Sequence, residues 1–407
     1  MRMMNHYQQQ LDWIDSQQQH MVFLTESWSK INSGSYNVTG LRKMREMLAD
    51  NFHWLGGMAE VLNCGPMTKI DAKGQEVSVD LAEALSIRKR PEAPIQILLM
   101  GHMDTVYEPE HPFQMPHFLS ENILNGPGVA DLKGGLVVML KALEALEKHP
   151  NAERVGWQVL LNPDEEIGSI GSDGLLKAAA KGKHLGMIYE PCMADGSLAG
   201  ERKGSGNFSI VVRGKAAHAG RNPEDGRNAI VAAAALTQAI FALNGVREGV
   251  TFNPARLDGG GALNVVPDLA ILHYNVRTKT SQDEAWVSEA ISEICKDIEE
   301  QLESRITNHG FFTRSPKPMS HENQKIFDLV QQCGRELGFD IGIKPSGGCC
   351  DGNNLWKHGL ANVDTLGVRG ADIHSEKEIM YLDSLAERAK LSALLMMKLA
   401  SGEMSLS

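Results

Sequence analysis

Glu165 and Glu166 stand side by side in the segment LLNPDEEIGS, directly after an apolar run. Like charges this close repel, so both stay ionised only where something positive offsets them. In an extended or turning segment, neighbouring side chains point to different sides. One carboxylate can then hold a divalent cation while the other faces substrate. A bound cation brings the pKa of its water down toward 7, and the adjacent carboxylate is placed to accept that proton. Standing alone, the pair reads more simply as a solvated acidic turn.

Four further segments carry donors of the same kind. His102 and Asp104 lie two residues apart in MGHMDTV. A carboxylate at that spacing can fix the tautomer of a histidine whose other ring nitrogen binds metal. Asp131, in NGPGVADLKGG, precedes a helical stretch and taken alone is an N-cap. The glycines around it lack the spacing of a phosphate loop, which excludes nucleotide binding there. Glu190, in IYEPC, and His374, in GADIHSEKE, are lone residues that by themselves read as structural.

Their joint placement is the signal. IQILLMGHMDTV (95–106), GWQVLLNPDEE (156–166) and LGMIYEP (185–191) read as buried strands. Each ends in one of the chemical positions, and open α/β sheets bind ligands beyond their strand C-termini. Between them lie the helical patterns KGGLVVMLKALEALEKH (133–149) and GSDGLLKAAAKG, so a mostly parallel sheet is expected. Residues 8–64 read as helical with a break at INSGSYN.

The pattern changes after AGERKGSG (199–206). NFSIVVRGKA, TFNPARLDGG, NVVPDLAILHYNVRT and RITNHGFFTRSP read as strands. GRNAIVAAAALTQAIFAL (226–243) and QDEAWVSEAISEICKDIEEQLE (282–303) read as helices. That βαββαβ (ferredoxin-like) order forms a separate module, which ends near the prolines of SPKP (315–318). The expected organisation is α/β: a mostly parallel-sheet catalytic domain over 1–205 and 315–407, interrupted by the module over 206–314.

Bulk properties agree with this outline. A chain of 407 residues is too long for one ordinary core. Its 42% hydrophobic and 22% charged content is globular, and the net charge of −11 argues against nucleic-acid binding. Six cysteines with no CxxC pair suit a reducing compartment. The polar, Gln-rich start shows no secretory signal, and no stretch approaches the roughly 20 apolar residues of a membrane span. A cytoplasmic location is expected, with no membrane partner.

GHMDTV, GPGVADLKGG, PDEEIGS, YEP, GKAAHAG, SGGCCDG and DIHSEKE occur in that order. Together they resemble the co-catalytic zinc hydrolases that include carboxypeptidase G, aminoacylase and succinyl-diaminopimelate desuccinylase. The resemblance implies two divalent ions bridged by Asp131, with His102 and Glu190 on one and Glu166 and His374 on the other. Glu165 would be the general base and Asp104 the partner of His102. Nitrogen and oxygen donors without cysteine suit zinc, and cobalt or manganese also fit. Such a pair sits roughly 3.5–4 Å apart and shares a water or hydroxide that attacks an amide carbonyl.

The same resemblance assigns His218, in KAAHAG, to the site of a partner subunit, where it steadies the oxyanion; a homodimer follows. Asn264, in GGALNVVPD, would point to substrate. Arg277, in YNVRT, would bind a substrate carboxylate, for which a bidentate fork is suited. Asp351 falls in the glycine-rich substrate loop SGGCCDGNN, where Cys349 and Cys350 replace the small or hydroxyl residues usual there. Those thiols are read as packing residues. In the family this chain resembles, Glu rather than Asp at the position of Glu190 goes with carboxypeptidases and deacylases more than with aminopeptidases, so the resemblance implies an N-acyl amino acid or short peptide with a free carboxylate as substrate. An aminopeptidase or dipeptidase, and a catalytically silent binding protein on the same scaffold, are the alternatives.

Overall fold

The computed structural model describes residues 7–406. At its centre is the strand Ile95–His102, buried along most of its length. Val155–Asn162 and Leu185–Ile188 pair with it in parallel on either side. The register sets His102 opposite Asn162 and Met100 opposite Ile188, so the three C-terminal ends open on one edge. Two antiparallel strands, Ala84–Lys89 and Met58–Leu62, extend the sheet beyond Val155–Asn162. Asn362–Val363 closes the other edge in parallel with Leu185–Ile188. The six-stranded sheet is therefore parallel at its core and antiparallel at one margin.

These strands read as unbroken apolar runs because both faces are covered. Ile97 and Leu99 join one cluster, with the helices Gly134–Glu147 and Ser384–Ser401 and the amino-terminal helices. Leu98 and Met100 point the other way, against Leu176 and Leu355 of the short helices Asp173–Ala180 and Asp351–Lys357.

The amino-terminal stretch departs from the helical expectation in part. Helices run over Gln8–Ser16, Gln18–Ser29 and Val38–His53, with the break where INSGSYN falls. Met58–Leu62 is instead an edge strand, exposed along four of its five residues. With solvent on both faces it carries no alternation that would mark it as a strand.

A second sheet has the order Thr251–Gly259, Leu269–Thr278, Gly204–Arg213, Arg305–Arg314, antiparallel throughout. The helices Ala229–Ala242 and Ser281–Leu302 cover one face around Ile210, Val212, Leu236, Leu272 and Val287. A capping box starts the longer helix: Thr280 accepts from Asp283 N, and the Asp283 carboxylate accepts from Thr280 N. In chain order these elements run strand, helix, strand, strand, helix, strand.

A small antiparallel sheet places two loops side by side. Ile379–Tyr381 lies between Gly370–Ala371 and Ile123–Asn125, with His117–Ser120 outermost. The loop carrying Asp131 leaves one of these strands, and the loop carrying His374 joins two others. Chain-distant residues thus meet at the edge where the central strands end.

Candidate active site

His102 is the last residue of the central strand and is buried. Its Nδ1 lies 2.9 Å from the Asp104 carbonyl and 3.3 Å from Asp104 Oδ1. Its Nε2 faces Asp131 Oδ1 at 3.0 Å and Glu190 Oε1 at 3.9 Å. The other oxygen of Asp131, Oδ2, lies 3.1 Å from His374 Nε2. That same nitrogen is 3.2 Å from Glu166 Oε2. Two donor groups result, His102–Asp131–Glu190 and Asp131–Glu166–His374, each with its ligand atoms within 4.8 Å of one another. Asp131 belongs to both and offers one oxygen to each.

Asp131 does not cap the following helix, which begins at Gly134 without any side-chain cap. Its carboxylate is turned to the two imidazoles instead. Asp104 supports the neighbouring turn as well as His102. Its Oδ1 accepts from Glu165 N at 3.1 Å, and its Oδ2 accepts from Glu166 N at 3.0 Å and Ser35 Oγ at 2.8 Å. One buried carboxylate therefore orients a histidine and the turn that carries both glutamates.

The adjacent glutamates diverge. Glu166 faces His374, whereas Glu165 Oε1 accepts from Arg314 Nη2 at 2.7 Å. Arg314 is itself buried, and it also donates to Asn354 Oδ1 at 2.8 Å and pairs with Asp351 at 2.9 Å. Asp351 further accepts from Asn162 Nδ2 at 2.8 Å and Ser169 Oγ at 2.5 Å. It is 1% exposed and sits behind Glu165 rather than on the cavity wall.

The cavity has a volume of about 560 Å³ and reaches from Asp131, Glu165, Glu166, Glu190 and His374 to the second sheet. Arg277 enters from that sheet. Its Nε donates to Asn275 Oδ1 at 3.1 Å and its Nη1 approaches Cys349 Sγ at 3.1 Å. Cys349 lines the cavity, whereas Cys350 is buried and caps the helix Asp351–Lys357. His218 and Asn264 lie on neighbouring loops, joined by the bond from Ala219 N to Asn264 O at 3.0 Å. Both are exposed and neither lines this cavity.

Two residues that the motif reading did not single out shape the site. Glu378 is 1% exposed, and its carboxylate accepts from Ala130 N at 2.9 Å, Asp131 N at 3.0 Å and Gly128 N at 3.2 Å. Tyr107 Oη donates to the same carboxylate at 2.8 Å. Arg314 is the other. The only advance sign of Glu378 was its place four residues after His374 in DIHSEKE.

Charge in the site is unbalanced. Burial pushes the Glu166 carboxyl up to about 8, and the Asp131 charge adds to the shift. Glu190 is pushed well above the carboxylate range for the same two reasons. Burial also raises Glu165, to about 7, although Arg314 opposes the rise. His374 is raised to about 11 by its hydrogen bonds to Asp131 and Glu166. Burial acts against Asp131 too, yet bonds from His102 and His374 hold it well below its usual value. Carboxylates buried this closely around Asp131 stay ionised only beside a cation, and imidazole nitrogen with carboxylate oxygen is a donor set that divalent ions take. The residues present therefore fit a divalent metal centre.

Such a fold and such a site suit a metal-dependent hydrolase, and the relatives of this chain are hydrolases acting on amide bonds. Residues 98–398 match peptidase family M20/M25/M40. Carboxypeptidase G2 of Pseudomonas sp. (strain RS-16) is 30% identical over 312 residues, covering 75% of this chain and 74% of its own. Succinyl-diaminopimelate desuccinylase of Hahella chejuensis is 28% identical over 329 residues, covering 75% and 82%. The solved structure of the dipeptidase Dug1p from Saccharomyces cerevisiae superposes with a TM-score of 0.77 at 14% identity, over 98% of this chain and 99% of that one. The chain belongs to peptidase family M20/M25/M40. No helix among the described residues is long and apolar enough to cross a membrane.

Proposed function

We propose that this chain is a carboxypeptidase or N-acyl-amino-acid deacylase with two divalent ions, zinc by preference. His102 and Glu190 would hold one ion, Glu166 and His374 the other, with Asp131 between them. Bound there, the ions supply Lewis acidity toward the amide carbonyl and an acidified water. The observation that carries the reading is the division of the two Asp131 oxygens between two imidazoles, each with a glutamate beside it.

Glu165 is the general base. It lies outside both donor groups yet lines the same cavity. Its carboxyl, near 7, takes a proton from water and returns it to the leaving amine nitrogen. Asp104 fixes the His102 ring through Nδ1. Arg277 takes the substrate carboxylate in a bidentate pair, and its grip on Asn275 and Cys349 sets the direction of the guanidinium. Asp351 acts on substrate through Arg314, which it holds.

His218 and Asn264 serve across a homodimer, and the unit whose loops bear them is its dimerisation domain. Ile230, Val231 and Phe241 are exposed on the helix Ala229–Ala242, and Leu257, Leu263 and Val265 are exposed on the same unit. These exposed apolar side chains on one unit support the dimer reading. The substrate is a small acyl amino acid or short peptide with a free carboxylate. All six cysteines are free, in keeping with a cytoplasmic protein.

The test is hydrolysis of a panel of N-acyl amino acids and dipeptides by protein loaded with zinc, cobalt or manganese. Release of free amino acid that stops on chelation and returns on reloading is expected, together with loss of turnover in Glu165→Ala at unchanged metal content. Absence of amide hydrolysis across the panel, or undiminished rate in Glu165→Ala, overturns the assignment.

A further inference from the structure

A second cleft, of about 530 Å³, adjoins the first and shares Glu166, Asn207, Asn275 and Thr313 with it. It is an extension of the active-site cavity past Glu166, and its size suits a ligand group. One wall is the face of the second sheet that its helices leave uncovered. Side chains alternate along strands. Residues 277, 275 and 273 of one strand share this face with 207 and 209 of the next, while Ile210, Val212 and Leu272 point into the helical core. Asn207 pairs with Phe311 and Ser209 with His309 on the third strand. Along this face the chemistry grades from the Arg277 guanidinium to the Phe311 ring.

The opposite wall sets four apolar side chains beside Thr68, Lys69 and Glu76. Ile167 and Ile170 lie one and four residues after Glu166, and Met67 and Ile70 come from the hairpin formed by Met67–Ile70 and Glu76–Val79. The hairpin is tied to the second sheet. Arg213 Nη2 donates to the carbonyls of Lys73 and Gly74, both at 3.0 Å, and Glu76 Oε1 lies 3.2 Å from His309 Nδ1. Both walls are thus held together before any ligand arrives.

No arginine lines this cleft among the described residues. Of its basic groups, His309 faces Glu76, His273 lies 3.2 Å from Asp258, and the exposed Lys69 has its Nζ 4.9 Å from the centre of the Tyr36 ring. Glu166 and Glu76 add negative charge. An anionic acyl group would be desolvated there beside two carboxylates, and of the cations lining the cleft only the exposed Lys69 ammonium does not already face a carboxylate.

We propose that this cleft is the acyl subsite and that it takes a neutral, largely apolar acyl group of at least aromatic-ring size. The proposal rests on the reading of the chain as a hydrolase of N-acyl amino acids with Arg277 at the carboxylate end. The substrate then lies along the second sheet, with its amide beside Glu166 and its acyl group between Phe311 and the hairpin.

The test compares N-acetyl, N-succinyl and N-benzoyl forms of one amino acid. Turnover is read on the metal-loaded wild type, and binding by calorimetry on metal-loaded Glu165→Gln. Burying a ring in place of a methyl group should favour benzoyl over acetyl by roughly tenfold or more in kcat/KM and in affinity. Succinyl should fall below benzoyl by at least as much. Phe311 is 55% exposed, so Phe311→Ala should fold, and it should lower the benzoyl-to-acetyl ratio about fivefold. Phe118→Ala, on the small sheet outside both cavities, should leave the ratio unchanged.

Equal affinities for acetyl and benzoyl, a preference for succinyl, or a ratio untouched by Phe311→Ala overturns the subsite while turnover leaves the hydrolase reading intact. No turnover with any form, but a benzoyl preference in binding that Phe311→Ala removes, overturns the hydrolase reading and supports the subsite.

Discussion

The Glu378 carboxylate accepts the backbone N–H of Asp131 at 3.0 Å, although 247 residues separate the two in sequence. The same side chain takes the N–H groups of Ala130 and Gly128 and the hydroxyl of Tyr107. Glu378 also follows His374 closely, so one buried group ties the loop of the shared carboxylate to the loop of its histidine. Asn125 Nδ2 reinforces the tie by donating to the carbonyls of Glu376 and Glu378 at 3.1 and 2.7 Å.

Replacing Glu378 with Gln converts one acceptor oxygen into a donor that faces backbone N–H groups. Loosening a ligand's support costs about 10–100-fold in metal affinity. Titration of Glu378→Gln against a fluorescent zinc chelator should show a loss in this range, with the protein still folded by circular dichroism. Wild-type affinity in this variant would remove Glu378 from the metal centre.

Metal loading should release protons. Without metal, His374 is raised to about 11 by its bonds to Asp131 and Glu166, and Glu166 is raised to about 8 by burial and the Asp131 charge. At pH 7 both therefore favour their protonated forms, and a cation must displace protons to gain its donors. Apparent affinity should rise with pH, by about tenfold per pH unit for each proton displaced. Calorimetry in buffers of different ionisation enthalpy measures that number directly. A binding enthalpy independent of buffer would show that the donors are already free.

Legibility in the sequence followed the sheet. His102, Glu165, Glu166 and Glu190 stood out because each ends an apolar run, and the structure brings them to one edge. The run of motifs drew in Asp131 and His374, whose loops meet only through the small sheet. Arg314 and Glu378 stayed hidden because a lone charge in a loop or at a strand end looks the same whether solvated or buried. Their partners come from distant segments, and no local pattern encodes them. The same holds for Asp364, which accepts from Arg202 Nε at 2.9 Å and Lys317 Nζ at 2.7 Å in the core. The strand Met58–Leu62 and the hairpin beyond it were missed for a different reason, since exposed edge segments carry no hydrophobic period.

Arg314 should matter for both stability and acidity. In Arg314→Met, Asp351 and Glu165 lose their shared cation inside the protein. Leaving one member of a buried pair unmatched costs about 3–5 kcal/mol, which urea denaturation would register as a lower midpoint. Burial raises Glu165 to about 7 and Arg314 opposes the rise, so removal of Arg314 lifts that carboxyl further. A base must be deprotonated to act, so the acid limb of the pH–rate profile should move to higher pH. A limb that stays in place would separate Arg314 from the base.

His218 is exposed and stands outside the cavity of its own chain. If it serves the partner's site, His218→Ala should lower kcat by about 100-fold, as loss of one oxyanion donor does, at unchanged metal content. Sedimentation should show a dimer for the wild type and the variant alike. A fully active monomer would contradict the arrangement.

The central claim is that Asp131 joins two metal positions, and metal counting tests it most directly. Wild-type protein stripped with chelator and reloaded should take up one zinc for each donor group, two per chain, and regain hydrolysis as they fill. Asp131→Asn should lose tight uptake and activity together. A stripped wild type that binds no divalent metal yet hydrolyses amides at full rate would contradict the account.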